Sequence, residues 1–193
     1  MSTVIIKYNA GNIQSVAFAL QRLGTEGIIS DNPEEIRRAD RVIFPGVGEA
    51  SSAMRFLQEK NLDVVIKNLK QPVLGVCLGL QLMCEFSEEN NTECLNLLPT
   101  KVKRFGTNLK TPHVGWNQAF NLNAALFRGV AEGSYFYFVH SYFAGVNPHT
   151  IAETEYGNRF SAAIQFNNFM ATQFHPERSG KNGEIILKNF LDL

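Results

Sequence analysis

The chain has 193 residues, 45% of them apolar and 19% charged, with eighteen basic side chains balanced by eighteen acidic ones. That length suits one domain of roughly 100–200 residues with its own core, and the ordinary composition excludes a disordered chain. Zero net charge excludes a general nucleic-acid binder, and no polybasic run or basic-plus-apolar leader points to a membrane surface or to secretion, so a cytoplasmic place is expected.

The predicted elements begin with a β-branched run, Thr3 to Tyr8, broken at Asn9-Ala10-Gly11-Asn12. Apolar residues at Val16, Ala19, Leu20 and Leu23 predict a helix over Ile13 to Leu23, with Gly24 as its C-terminal cap. Gly27 to Ser30 is a second strand. Asp31-Asn32-Pro33-Glu34-Glu35 starts a second helix with acids first and Arg37 and Arg38 last, the polarity a helix dipole favours. Val42 to Phe44 is a third strand, stopped by Pro45-Gly46-Val47-Gly48. Helices follow over Glu49 to Lys60 and Leu62 to Leu69, then a strand from Pro72 to Val76 and a helix from Leu78 to Phe86. Alternating strands and helices imply βαβ units and a parallel sheet.

The pattern changes after Ser87. Residues 87–134 hold few helix signals. Tyr135 to Val139, Thr150 to Glu155, Ala162 to Phe166 and Phe169 to Phe174 read as strands, and Glu184 to Leu191 as a closing helix. Gly133 to Ala152 carries no charged side chain, but His140, Ser141, Asn147, Pro148 and His149 make it a buried strand and loop rather than a membrane span. The expected fold is a single α/β domain: three layers, α/β/α, with a mostly parallel central sheet and an antiparallel extension in the C-terminal half.

The three cysteines, Cys77, Cys84 and Cys94, are an odd and sparse set, which implies reduced thiols. There is no Cys-x-x-Cys pair and the histidines lie far away in sequence, so no metal site is expected.

Gly75-Val76-Cys77-Leu78-Gly79 stands where a strand becomes a helix. Glycines two before and two after the cysteine permit a sharp turn, the G-x-nucleophile-x-G elbow with Cys for Ser. Such a turn presents the sulfur at the carboxyl edge of a sheet, beside a helix N-terminus that favours a thiolate. The same residues would also suit a buried cysteine in a Gly-flanked turn. In Phe174-His175-Pro176-Glu177 the proline biases the histidine to an extended backbone. Residues i and i+2 then share a side, so Glu177 can hold the His175 ring in one tautomer, a base with its orienting group. A surface histidine beside an ordinary acid is the alternative. Pro45-Gly46-Val47-Gly48 can aim backbone N–H groups at an anion and, with the Leu78 N–H, build an oxyanion hole, or it is a plain turn. Cys84 reads as core, Cys94 as part of a polar loop, His140 as packed or hydrogen-bonded, and His149 as exposed. Trp116, the only tryptophan, is either core or a partner contact.

Together these motifs resemble the class I (triad) glutamine amidotransferases. Within that class they are similar to the glutaminase subunits of imidazole glycerol phosphate synthases, nearly end to end. The resemblance is carried by Ala10-Gly11-Asn12, Pro45 to Gly48, Gly75 to Gln81, Pro112 to Asn117, Ser134 to Tyr142 and Gln173 to Gly180. Leu80-Gln81 after the elbow and the Trp116 motif speak against a pyridoxal phosphate synthase glutaminase. The intact Cys, His and Glu speak against a non-catalytic regulatory relative.

The resemblance implies that Cys77 attacks the glutamine amide, His175 shuttles the proton and Glu177 orients His175. It implies that Gly46, Val47, Gly48 and Leu78 serve the oxyanion, and that Gln81, Ser141 and Tyr142 line the glutamine pocket. It implies a (β/α)8-barrel cyclase partner in a heterodimer, docked near Asn12, Trp116 and Arg178. That partner receives the ammonia through its barrel and makes imidazole glycerol phosphate and aminoimidazole carboxamide ribotide in histidine biosynthesis. No cofactor or metal is implied. Family members are nearly silent without the cyclase and its nucleotide, which suggests that the Gly46-Val47-Gly48 segment rests with a carbonyl toward the oxyanion position. Lys7-Tyr8-Asn9 replaces an Asp-Tyr-Gly type opening common in relatives, a difference that falls near the expected interface.

Overall fold

A computed structural model of the chain describes residues 1–9 and 11–193. Ala10, part of the first predicted break, lies outside the described residues. In chain order the elements are β1 (Thr3–Ile6), α1 (Ile13–Arg22), β2 (Gly27–Ser30), α2 (Pro33–Arg38), β3 (Arg41–Phe44), α3 (Ala50–Glu59), α4 (Leu62–Lys67), β4 (Val73–Val76) and α5 (Leu78–Met83). Then come β5 (Phe86–Ser87), β6 (Thr92–Glu93), β7 (Lys101–Arg104), β8 (His113–Gln118), β9 (Tyr135–His140), β10 (Tyr142–Ala144), β11 (Thr150–Tyr156), β12 (Asn158–Phe166), β13 (Phe169–Thr172) and α6 (Gly180–Leu191).

The main sheet runs β11-β12-β13-β4-β3-β1-β2 among the described residues. β2, β1, β3, β4 and β13 are parallel, and β12 and β11 extend the sheet antiparallel. Side chains alternate across a strand, and the core divides accordingly. Val4, Ile6, Val42 and Phe44 face one layer with Ile36, Leu57, Ile66 and Leu80 of α2 to α5. Ile5, Ile43, Leu74 and Val76 face the other with Val16, Leu20, Ile186 and Phe190 of α1 and α6. The predicted three-layer α/β arrangement is the observed one.

Helix ends follow local chemistry. Asn32 accepts from the Glu34 and Glu35 amides with Pro33 at the first helical position. Gly24 (φ 75°) closes α1: its N–H reaches Gln21 O and the Thr25 N–H reaches Leu20 O, satisfying the last carbonyls. Glu49 caps α3 on the Ser51 and Ser52 amides, and the Ser51 hydroxyl leads the contacts that hold its carboxyl down to about 2.

Several boundaries differ from the sequence expectation. β1 ends at Ile6 rather than Tyr8, and β13 at Thr172 rather than Phe174. α5 stops at Met83, because Cys84 turns to an extended backbone (ψ 177°) that leads into β5. β12 begins four residues before Ala162, on Asn158-Arg159, where pairing with β11 outweighs polar composition. α6 starts at Gly180 rather than Glu184. Gly183 lies inside it, and a Cβ there would stand 1.9 Å from Pro176 O, so this poor helix former lets the helix press on the His175 turn. The stretch from 87 to 134 holds the end of β5 and then β6 to β8; β7 carries one buried side chain, Val102, and β8 pairs without a break through Gly115. β8 and β9 form a separate two-stranded ribbon.

Candidate active site

β13, β4, β3 and β1 are neighbours and point the same way, so the segments after them share one edge of the sheet. That edge carries His175 and Glu177, Cys77, Gly46 to Gly48, and Asn12. Cys77 holds φ 52° and ψ −102°, a strained backbone for a non-glycine residue. Its amide donates to Thr172 O at 2.8 Å. A Cβ on Gly79 would lie 2.0 Å from Phe44 O, and one on Gly75 2.8 Å from Met83 Sδ. Gly79 is therefore a steric requirement, while Gly75 is tight against Met83 and the backbone of Gly79 and Leu80.

His175 and Glu177 meet as the i, i+2 spacing predicts. His175 Nδ1 lies 2.8 Å from Glu177 Oε1, and both side chains are buried. A carboxylate accepts there, so Nδ1 carries a proton and Nε2 is the nitrogen that exchanges one with a nucleophile. Among the described residues, no hydrogen-bond partner meets the distance and angle requirements for His175 Nε2 or Glu177 Oε2. Burial works against a charged ring, but Cys77 and Glu177 outweigh it and raise His175 to about 10. The backbone of the turn is tied to the ribbon: His175 N–H donates to Tyr137 O, and the Ser179 hydroxyl bridges the Tyr137 amide and His175 O.

A cleft of about 240 Å³ opens over the thiol. Cys77, Val47, Gly48, Leu78, Gln81, Ser141 and Tyr142 line it. Gly46 stands behind it, where its carbonyl accepts the Leu78 N–H at 3.2 Å. The Gly46–Val47 peptide thus turns an oxygen toward the donor expected to hold an oxyanion. Upstream, the Tyr8 hydroxyl donates to Pro45 O at 2.5 Å; downstream, Val47 O accepts from the Gly11 amide at 3.2 Å.

The glutamine amidotransferase class-I family model matches residues 4–193. The chain belongs to that family. It is 54% identical over 196 residues to imidazole glycerol phosphate synthase subunit HisH of Bacteroides fragilis, covering all of both chains. It is 50% identical over 194 residues to the HisH subunit of Haemophilus influenzae, covering 100% of this chain and 98% of that one. Among solved structures, a crystal structure of a glutamine amidotransferase superposes with a TM-score of 0.77 at 17% identity, covering 98% of this chain and 97% of that one. PurLQS of Thermotoga maritima gives 0.75 at 15%, covering 99% and 97%. These two structures share the fold.

On this class-I amidotransferase frame Asn12 and Arg178 meet beside the His175–Glu177 pair. Asn12 Nδ2 donates to Glu177 Oε1, and Arg178 Nη2 donates to Asn12 Oδ1 at 3.1 Å. Trp116 is 55% exposed and lies edge-on to Tyr137, on the ribbon that holds the His175 turn. It is therefore not core. Cys84 is core, as expected. Cys94 is also buried, at 8% exposure, and burial pushes its thiol up to about 12. His149 is half-buried against Phe166 rather than exposed.

Two features, Glu89 and Gln173, escaped the sequence reading, whereas His140 is packed and hydrogen-bonded as expected. Glu89, half-buried, puts a carboxylate in the cleft wall, and burial holds it above the usual carboxylate range. Gln173, fully buried, donates Nε2 toward Cys77 Sγ at 3.7 Å and accepts from Gln81 Nε2 at 3.3 Å. His140 lines the cleft and touches a second buried histidine, His113. Glu89 carries no motif. The signal for Gln173 was its place two residues before His175, at the end of a buried strand.

Proposed function

We propose that the chain is a glutaminase: it hydrolyses glutamine to glutamate and ammonia, as the ammonia-supplying subunit of an imidazole glycerol phosphate synthase. The observation that carries this reading is one geometry. A cysteine on a strained elbow, at the mouth of a cleft, shares its sheet edge with a buried histidine whose Nδ1 is fixed by a carboxylate. The full-length similarity to HisH subunits supports the choice among amidotransferases.

His175 Nε2 takes the Cys77 proton, and Sγ attacks the side-chain amide carbon of glutamine. Collapse of the tetrahedral adduct breaks the C–N bond as His175 returns the proton to the departing nitrogen, releasing ammonia and leaving a glutamyl thioester. Water, deprotonated by His175, attacks the thioester; glutamate leaves and the proton returns to the sulfur. Gln81, Ser141 and Tyr142 hold the substrate. Glu89 faces its α-ammonium group, the one cation glutamine brings.

The resting site lacks a complete oxyanion hole, because the Gly46 carbonyl occupies the Leu78 N–H. Rotation of the Gly46–Val47 peptide would free Leu78 and bring the Val47 N–H to the same point. Flanking glycines make that rotation cheap. The trigger in this reading is a (β/α)8-barrel cyclase with its ribulosyl phosphate nucleotide bound, docked near Asn12, Trp116 and Arg178. Ammonia passes into that barrel, where imidazole glycerol phosphate and aminoimidazole carboxamide ribotide form. The whole chain acts as one amidotransferase domain, and the cytoplasm, where thiols stay reduced, is its place.

The test is labelling by a glutamine analogue with an electrophilic γ-carbon, in the presence of the cyclase and its ligand. One adduct on Cys77, seen by peptide mass, is expected. No adduct, or one on Cys84 or Cys94, contradicts the reading.

A further inference from the structure

Two buried imidazoles, His113 on β8 and His140 at the end of β9, stand outside the triad and have no part in the steps above. Their hydrogen bonds run in one direction, and chemistry at both ends sets it. At one end, His140 Nδ1 lies 2.7 Å from Tyr142 O. A carbonyl only accepts, so Nδ1 carries the proton. At the other end, Asn117 cannot be flipped. Its Nδ2 donates to Glu155 O at 2.8 Å and its Oδ1 accepts the Gln118 amide at 2.8 Å. The same Nδ2 faces His113 Nε2 at 3.5 Å, so that nitrogen accepts. The contact between the rings, His113 Nδ1 to His140 Nε2 at 3.1 Å, then has one solution: His113 donates and His140 accepts.

The chain of donors therefore runs Asn117 to His113 to His140 to Tyr142 O, with both rings neutral and each protonated on Nδ1. Packing holds the rings in place. His113 stacks on Tyr156 at 4.1 Å and on Phe138 at 5.2 Å, and Phe105 lies against His140 at 5.3 Å.

The carbonyl at the end of this chain has a second donor. Gln81 Nε2 reaches Tyr142 O at 2.9 Å. Gln81, His140, Ser141 and Tyr142 all face the cleft over Cys77. The start of the chain lies on the ribbon whose outer face exposes Val114, Trp116 and Tyr135.

We propose that His113 and His140 are a positioning pair that carries the placement of the β8–β9 ribbon to the Tyr142 carbonyl, and so sets the glutamine pocket. This rests on the glutaminase reading of the cleft. Among the described residues neither ring hydrogen-bonds the Cys77 thiol or the His175 ring, so loss of the pair acts first on substrate binding. Loss of binding held equally in ground and transition state raises KM and leaves kcat.

The test uses the chain in complex with the cyclase and its nucleotide, with steady-state glutamine hydrolysis as the readout. His113→Phe keeps a flat ring between Tyr156 and Phe138 and removes both nitrogens; it raises the glutamine KM about fivefold or more with kcat within about twofold. His113→Asn keeps a donor near the Nδ1 position and returns KM to within about twofold of the parent. Long-range proton–nitrogen NMR of the parent chain at pH 7 shows both rings as neutral Nδ1–H tautomers, and this readout does not depend on any variant folding. An Nε2–H tautomer on either ring, an unchanged KM in His113→Phe, or a loss confined to kcat overturns the pair's role. A parent complex with no glutaminase activity instead overturns the reading of the cleft on which the pair depends.

Discussion

Asn12 donates its amide to Glu177 Oε1, the same oxygen that holds the His175 ring. Asn12 occupies the N-cap position of α1, where an asparagine ordinarily satisfies the first helical amides. Here its backbone is left-handed (φ 73°) and the side chain caps nothing. The interaction has moved from the helix to the His175–Glu177 pair, and Arg178 fixes the other side of the amide. Asn12→Ala removes one of the two donors on that oxygen. A hydrogen bond to a charged group contributes about 1.5–3 kcal/mol, so kcat of the complex at saturating partner is expected to fall roughly tenfold or more. Unchanged kcat in the saturated complex contradicts this link.

Glu177→Gln tests the orienting role. A glutamine can turn its NH₂ toward His175 Nδ1, and the ring then carries its proton on Nε2, the nitrogen that must accept from the thiol. The expected loss is about 10³-fold in kcat with little change in glutamine KM, measured in the active complex. A loss of less than about tenfold contradicts the assignment of the tautomer.

Steric demands at the glycines give a stability series. Gly79→Ala forces a Cβ to 2.0 Å from Phe44 O and Gly183→Ala forces one to 1.9 Å from Pro176 O, so both should destabilise by roughly 1–3 kcal/mol or more. Gly145→Ala meets nothing within 4 Å and should stay within about 0.5 kcal/mol. Urea unfolding midpoints decide. Gly183→Ala has a second expected effect, a drop in kcat, because Pro176 directly follows His175, the proposed base.

The histidine pair predicts acid sensitivity with a defined sign. Burial depresses His113 to about 4 and His140 to about 3, with the Tyr142 bond opposing the shift in His140. Below the unfolded value of about 6.5 the unfolded chain binds protons that the folded chain refuses. The contribution is therefore full above about 6.5 and lost as pH falls toward 4 and then 3. His175 has the opposite sign: its contribution is full below about 6.5 and is lost as pH rises through about 10. Glu89, held above its usual range, also opposes the acid loss. Comparing the parent with His113→Phe removes these shared contributions. The variant should lose less stability between pH 7 and pH 5, read from urea midpoints; parallel curves contradict the assignment.

The central layers of the fold were legible because each parallel strand is short, apolar and followed by a turn. Gly75 and Gly79 announced the elbow, and at Gly79 the Phe44 carbonyl leaves no room for a side chain. His175 and Glu177 could be paired from their spacing on an extended segment. Other features depend on contacts between distant segments. Lys101-Val102-Lys103-Arg104 has one apolar residue, and only pairing with β5 and β10 makes it a strand. Gln173 meets Gln81 across 92 positions, and His113 meets His140 across 27. No local pattern encodes either meeting. Gly183 reads as a helix breaker until Pro176 O is seen against it.

The most direct test is glutamate release from glutamine by the chain alone and by the chain with the cyclase and its nucleotide, with Cys77→Ser as control. The closed Leu78–Gly46 contact predicts slow release alone and release faster by about 10²-fold or more with both partners, the effect of restoring oxyanion donors. It also predicts none in the variant. Full turnover by the lone chain would contradict the closed oxyanion site, and activity surviving in Cys77→Ser would contradict the nucleophile.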